Sequence, residues 1–170
     1  MKKFELTSEF VTFLGKKLFR IKALVSFGDV AEGELGGFIE RENNLDQCGN
    51  AWVCGNARVF GDAQVFGDAQ VSGDAQVYGN AWVCGDAQVC GNAHIQCRRD
   101  CSAASCFGSE NRTTTFFREK DGGIGVRCGC FYGTMSEFRE KVKERHGDSR
   151  LAKEYLMLAD LMEFRLSKDE

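Results

Sequence analysis

The sequence predicts a mainly β protein organised around a coil of very short parallel strands. Two observations carry this prediction. A repeat of six residues runs without interruption from residue 49 to residue 96, and the 170 residues include 20 glycines but no proline. Uninterrupted self-similarity at a fixed period is the signature of a stacked architecture. Because glycine must supply the turns, its spacing marks the corners of the coil.

Each repeat unit contains a glycine, then Asn or Asp, then alanine, and two positions later Val or Ile. The glycines are Gly49, Gly55, Gly61, Gly67, Gly73, Gly79, Gly85 and Gly91. A period of six fits neither an α-helix nor a plain strand. It fits a short strand followed by a corner, in which the central valine points inward and its neighbours outward. Three such edges close a triangular coil filled with valine and alanine.

The units resemble the hexapeptide repeat of left-handed parallel β-helices. Copies of VFGDAQ match its aliphatic and small positions, although the glycine stands one place later. The resemblance implies three hexapeptides per coil, so residues 18 apart should stack about 4.8 Å apart in neighbouring strands. Eight units make slightly less than three coils. A stack this short needs a cap at each end.

The flanking segments are predicted to supply those caps. Residues 1–48 are interpreted as an N-terminal hairpin cap and an irregular capping coil, in which Ile39 and Leu45 fall on alanine positions. Residues 97–112 are interpreted as a linker, and residues 113–170 as a small ββαα module. The first helix of the module should begin at Thr134 with a capping box to Glu137 and end at Gly147.

Composition narrows the function only modestly. The net charge of −3 has no signature of nucleic-acid binding, and no run of 18 apolar residues is present. The opening MKKFELTSEF lacks the apolar core of a signal peptide. We therefore expect a cytoplasmic protein without membrane association, whose nine cysteines are reduced. Cys97, Cys101, Cys106, Cys128 and Cys130 do not form paired CxxC motifs, so no metal or other cofactor is predicted.

Aromatic residues occupy outward positions of the predicted coil. They are Trp52, Phe60, Phe66, Tyr78 and Trp82. This is more apolar surface than an isolated prism should expose, so flanking segments, a second copy or a partner should cover it. A homo-oligomer, either a dimer or a trimer, is therefore expected.

The outward aromatics also define the candidate binding residues. Arg58 beside Phe60 and Tyr78 would allow stacking on a nucleotide base with a cation on its phosphate. The full predicted set is Trp52, Arg58, Phe60, Phe66, Gln76, Tyr78, Trp82 and His94.

The whole layout also resembles hypothetical proteins encoded by bacteriophages and prophages. The stretches that carry this resemblance are ELTSEFVTFLGKKLFRIKALVSFGDV, ELGGFIERENNL, the GNAWV repeats and RCGCFYGTMSEFREKVKERHGD. It implies a non-enzymatic protein that occupies or sequesters a host factor. Such a counter-defence inhibitor could block a host protein or nucleoprotein complex, as an anti-CRISPR protein does, or act as a sponge for a nucleotide signal.

The alternative is an acyl-CoA-dependent acyltransferase, the activity most associated with hexapeptide repeats. In those enzymes a histidine acts as the base. His94, on the last repeat, is the candidate here, because His146 directly precedes the helix-capping Gly147. The chain lacks the long loop that often leaves the prism in such enzymes.

Overall fold

The computed structural model describes residues 2–167. The ends of the predicted first and last segments, residue 1 and residues 168–170, lie outside the described residues. The chain forms a parallel β-solenoid of about three turns, with a hairpin at one end and a sheet carrying two helices at the other. The predicted mainly β fold is confirmed. Within the described part of the chain, no helix is long and apolar enough to cross a bilayer.

The N-terminal hairpin consists of β1 (Phe4–Phe13) and β2 (Lys16–Ala23), which pair antiparallel. A third strand, β3 (Leu35–Ile39), pairs antiparallel with β2 and parallel with the solenoid strand β5 (Arg58–Val59). One continuous sheet therefore joins the hairpin to the solenoid.

The solenoid contains eight two-residue strands that recur every six residues. They are β4 (Trp52–Val53), β5 (Arg58–Val59), β6 (Gln64–Val65), β7 (Gln70–Val71), β8 (Gln76–Val77), β9 (Trp82–Val83), β10 (Gln88–Val89) and β11 (His94–Ile95). We call the sheet of β3, β5, β8 and β11 the first face, that of β4, β7 and β10 the second face, and the pair β6 and β9 the third face. Partners stand 18 residues apart, as in Val71 and Val89. The predicted stacking interval is confirmed.

The first coil is longer than the others. Ile39 pairs with Val59, and Leu45 bridges to Val65, so each partner lies 20 positions further along the chain. The two extra residues lie between Leu45 and Val53, which are eight positions apart, whereas their partners Val65 and Val71 are six apart. The expectation that Ile39 and Leu45 stand at alanine positions is therefore wrong. The two extra residues place Ile39 and Leu45 in line with Val59 and Val65, at inward positions where a large side chain fits.

Alanine, valine and isoleucine fill the interior of the solenoid. Their inward-facing side chains on β4 to β11 are at most 2% exposed, and each buried valine contributes roughly 1.5–2 kcal/mol of hydrophobic stabilisation. The glycines of the corners all have φ between 61° and 72°, a region that side chains other than glycine enter at a cost. The Asn50 amide donates a hydrogen bond to Asp68 one coil above (2.9 Å), so corner residues also tie the coils together.

A four-stranded antiparallel sheet follows the solenoid. Its strands, in sheet order, are β12 (Cys101–Phe107), β13 (Arg112–Arg118), β14 (Ile124–Cys128) and β15 (Phe131–Thr134). The prediction that residues 97–112 form a linker is wrong, because most of this segment is β12 and its turn into β13. The small residues of β12 have weak strand propensity, and pairing with β13 decides their conformation.

The predicted ββαα module is therefore a four-stranded sheet with two helices, α1 (Met135–His146) and α2 (Arg150–Leu166). The capping box between Thr134 and Glu137 is present, and Gly147 ends α1 with φ of 56°. Both helices cover one side of the sheet through Phe138, Val142, Tyr155 and other buried side chains.

Both ends of the solenoid are closed by these flanking elements. At the N-terminal end, the Lys3 ammonium donates to the carbonyls of Cys48, Gly49 and Ala51. At the other end, the fully buried Phe117 of β13 belongs to the solenoid core, and the Lys120 amide donates to the Asn92 carbonyl (3.1 Å). A short solenoid needs a cap at each end, and this chain supplies both caps itself.

Candidate binding site

The hairpin covers the first face of the solenoid. Phe60 is buried in a cluster with Leu18 and Phe38, and its ring stacks on that of Tyr78 with centroids 5.1 Å apart. The Arg58 guanidinium lies 4.6 Å from the centroid of the Phe13 ring. The predicted base-stacking site of Arg58, Phe60 and Tyr78 is therefore corrected to a hydrophobic interface between the hairpin and the solenoid.

His94 lies at the end of the same face. Its Nε2 is 2.5 Å from the Tyr78 hydroxyl, while its Nδ1 is buried and has no hydrogen-bond partner among residues 2–167. Burial, and secondarily Asp100, raise the pKa of Tyr78. Gln76 stands half-buried between Arg58 and His94 in the ladder. Because one imidazole nitrogen is engaged and the other is enclosed, His94 is poorly placed to act as a base.

A groove of about 500 Å³ borders His94, and Asp100 and Arg118 form an ion pair on its wall (2.9 Å). Asp100 also accepts hydrogen bonds from the backbone amides of Gln96 and Cys97. These bonds hold the chain as it leaves the last coil. The lining of the groove combines acidic and basic side chains, so it lacks the uniformly positive charge that would complement an anionic cofactor.

The second face is covered as well. Trp52 is only 1% exposed, and its ring meets Phe4 and Phe27 edge-on, with centroid distances of 6.5 and 5.4 Å. The prediction that Trp52 is available for binding is therefore corrected. The ring is buried by Phe4, at the start of β1, and Phe27, in the loop after β2, which together we call the N-terminal segment. Cys54 and Cys90 pack against the core on this face, and burial raises the pKa of both thiols.

The third face is the open face of the solenoid. Trp82 is 38% exposed and meets Phe66 edge-on, with ring centroids 5.8 Å apart. Gln64 and Cys84 on the same face are also exposed. A groove of about 480 Å³ runs beside the two rings, with Leu45, Asp46 and Gln64 in its lining. This face brings together two of the predicted binding residues, Phe66 and Trp82.

Arg98 lies against Trp82 on the third face. This residue follows the last coil, and its guanidinium carbon lies 3.3 Å from the centroid of the Trp82 ring. Sequence reasoning did not select Arg98. The only available signal was a pair of arginines directly after the end of the repeat. The contact demonstrates that the Trp82 ring accepts a guanidinium against its face.

Acidic residues border the third face on both sides. Asp62 lies at the corner before β6, and Asp68 and Asp86 lie at the corners after β6 and β9; all three are exposed. Asp46 and Glu42 line the groove itself. Arg41 pairs with Asp62 (2.7 Å), but both side chains are more than half exposed, so the ion pair is weak. Glu42 likewise pairs with Lys2 (2.8 Å), so Asp46, Asp68 and Asp86 supply most of the negative charge around Phe66 and Trp82.

The cysteines after the solenoid are dispersed. Cys101 is buried, whereas Cys106 and Cys130 are exposed, and burial raises the pKa of Cys101 to about 12. Within residues 2–167, no group of three His, Cys, Asp or Glu side chains is arranged to hold a metal ion.

Comparison with known protein families supports the architecture. The family model of the YdcK β-solenoid repeat matches residues 51–67 and 69–85. The two matches start 18 residues apart, which is one coil of the structure. This chain is therefore a β-helix repeat protein. A search of curated proteins found no significant match.

Proposed function

We propose that this chain is a non-enzymatic binding protein of the type that phages encode to occupy a host factor, and that it binds through the third face. One observation carries the proposal: the third face keeps Phe66 and Trp82 accessible, while the hairpin and the N-terminal segment bury Phe60 and Trp52 on the other two faces. Partly exposed aromatic side chains on a rigid scaffold are typical anchors of protein interfaces.

Charge indicates which kind of partner fits. Asp62, Asp68 and Asp86 border the aromatic pair, and Asp46 lies in the groove. Carboxylates in this arrangement repel nucleic-acid phosphate and attract lysine and arginine. The proposal is therefore a host protein or nucleoprotein complex with a basic surface, of the sort that binds nucleic acid. Occupying that surface would block the host factor.

A sponge for a nucleotide signal has less support. Its predicted stacking residues, Phe60 and Tyr78, lie against the hairpin, and the open aromatics have acidic neighbours. The acyltransferase alternative depends on His94, whose Nε2 is engaged by Tyr78. Acetyl-CoA should therefore leave the melting temperature unchanged, whereas a stabilisation that is lost in His94→Ala would support the enzyme.

The decisive experiment is capture of partners by the tagged full chain in phage-infected cells. The double variant Phe66→Ala and Trp82→Ala should capture at least about tenfold less of the host protein than the wild type, since anchor residues contribute roughly 1–2 kcal/mol or more each to binding. Phe10→Ala, which truncates an aromatic side chain exposed on the hairpin, should capture it normally.

Salt and charge reversal test the electrostatic part of the proposal. Binding of the purified partner should weaken as salt rises, and Asp68→Lys with Asp86→Lys should weaken it further. Undiminished capture by the Phe66 and Trp82 variant would overturn the proposed site. Co-purification of a nucleotide, visible as excess absorbance at 260 nm, would favour the sponge instead.

A further inference from the structure

The helix α2 exposes an apolar surface on the side opposite its buried residues. Its buried side includes Tyr155, Ala159 and Met162. On the other side, Met157, Leu161 and Phe164 are 71%, 58% and 82% exposed. Their spacing of four and three residues places them in one row along the helix. We call this row the α2 stripe.

A groove and a free strand edge lie next to the α2 stripe. The groove has a volume of about 600 Å³ and runs between Ser102 and Ala103 of β12 and the side chains of Leu161, Met162 and Phe164. β12 is an edge strand, because the sheet order is β12-β13-β14-β15. Exposed edges and large apolar patches are normally covered in a stable protein.

From this arrangement we infer that the chain forms a symmetric dimer in which the α2 stripes of two copies pack against each other. The stripe has Leu161 near its centre, so an antiparallel pairing places Met157 of one copy opposite Phe164 of the other. The groove beside Leu161 and Phe164 of each copy lies at the margin of this contact. An isologous interface needs this kind of self-complementarity, in which one patch serves as both partners.

The α2 stripe supplies part of the area that a dimer interface needs. The three side chains of the α2 stripe expose roughly 400 Å², about half of the ~800 Å² that each partner contributes to a standard interface. The walls of the groove and the edge of β12 supply further area. The inferred interface therefore includes the groove and the edge of β12 as well as the α2 stripe.

The charges beside the α2 stripe favour a second copy over a lipid surface. Arg150 pairs with Glu154 at the start of the helix (3.5 Å), and Arg99 and Arg165 line the groove. Asp160, beside Leu161, is 71% exposed and pairs with Arg139. A helix that binds anionic lipid has a uniformly basic border. Because acidic and basic side chains both flank the α2 stripe, two antiparallel copies can approach without net repulsion.

Sedimentation velocity of the full chain tests the inference. Between about 1 and 200 µM, the wild type should approach twice its mass of 18.9 kDa, and its melting temperature should rise with concentration. The double variant Leu161→Glu and Phe164→Glu should remain monomeric, with dimerisation weakened at least about 100-fold. Both side chains are exposed, so the circular dichroism spectrum should not change.

The matched control is Leu35→Glu, which places the same acid at another exposed leucine, on β3. This variant should dimerise like the wild type. A wild type that stays monomeric throughout, a Leu161 and Phe164 variant that still dimerises, or a Leu35→Glu variant that does not would each overturn the inference. The test uses no residue of the third face, so its outcome is independent of the proposed binding function.

Discussion

The guanidinium of Arg98 lies over the indole ring of Trp82, with 3.3 Å between its central carbon and the ring centroid. The two residues belong to different parts of the fold, since Trp82 is on the last rung of the third face and Arg98 follows the solenoid. The contact shields part of the largest accessible aromatic ring of the proposed binding surface. A cationic side chain of a partner would replace or extend this interaction.

Removal of Arg98 should uncover Trp82. In a Trp52→Phe background, where Trp82 is the remaining tryptophan, Arg98→Ala should shift the fluorescence emission to longer wavelength and increase quenching by acrylamide. The stability cost should not exceed about 1 kcal/mol, the strength of an exposed cation–π contact. Arg112→Ala removes a charge elsewhere and should leave the emission unchanged. An unaltered spectrum in Arg98→Ala would contradict the contact.

The two tryptophans should differ sharply in their contribution to stability. Trp52→Ala removes a buried ring in contact with Phe4 and Phe27 and should lower the free energy of unfolding by about 3–5 kcal/mol. Trp82→Ala, at the same position of a later repeat unit but on the third face, should lower it by about 1 kcal/mol or less. Urea denaturation measures both. Equal losses would mean that the N-terminal segment does not cover Trp52 in solution.

Two glycines of one corner column should also differ. Gly49 and Gly85 have nearly equal φ, 64° and 62°. A Cβ on Gly49 would lie 2.5 Å from the Gly67 carbonyl oxygen, whereas one on Gly85 meets nothing within 4 Å. Gly85→Ala should therefore lower the free energy of unfolding by only about 1–2 kcal/mol, the cost of placing alanine at a positive φ. Gly49→Ala should cost clearly more in the same urea titration, and similar values would refute close stacking of the coils.

Burial of Cys101 predicts a loss of stability at high pH. Its pKa rises from 9.0 to about 12 on folding, so its stabilising contribution is complete below pH 9. Between these values the unfolded chain releases the proton and the folded chain keeps it. The free energy of unfolding therefore falls as pH rises, by up to about 1.4 kcal/mol per pH unit for this thiol.

Comparison with Cys101→Ala isolates the effect. Above about pH 9 the wild type should lose stability faster than the variant, and parallel curves would contradict the burial of the thiol. At about pH 8 an aromatic disulfide reagent should label the exposed Cys48, Cys84, Cys106 and Cys130 quickly. Cys101 should react only as the chain unfolds.

The periodic part of the fold was predictable because each repeat unit specifies its own conformation. Glycine permits the left-handed corner, and valine and alanine fill the interior, so the strands, the corners and the 18-residue stacking interval follow from local chemistry. The segment 97–112 was not predictable in this way. Its small residues have weak strand propensity, and β12 forms because β13 lies beside it.

The identical stretch NAWVCG, which occurs at residues 50–55 and 80–85, shows where prediction from sequence ends. Trp52 in the first copy is 1% exposed, and Trp82 in the second is 38% exposed. Local sequence cannot separate them, because their neighbours along the chain are the same. Phe4 and Phe27 cover the first ring, while Phe66 and Arg98 leave the second partly open.

The sequence by itself therefore determined the eight repeats of the solenoid, their core and the direction in which each of their side chains points, because these depend on contacts between residues six or 18 positions apart. Only the tertiary structure decided which outward aromatics remain accessible and which face is available for binding. The hairpin, the N-terminal segment and the residues after the last coil reach the solenoid through long-range contacts that no repeat encodes.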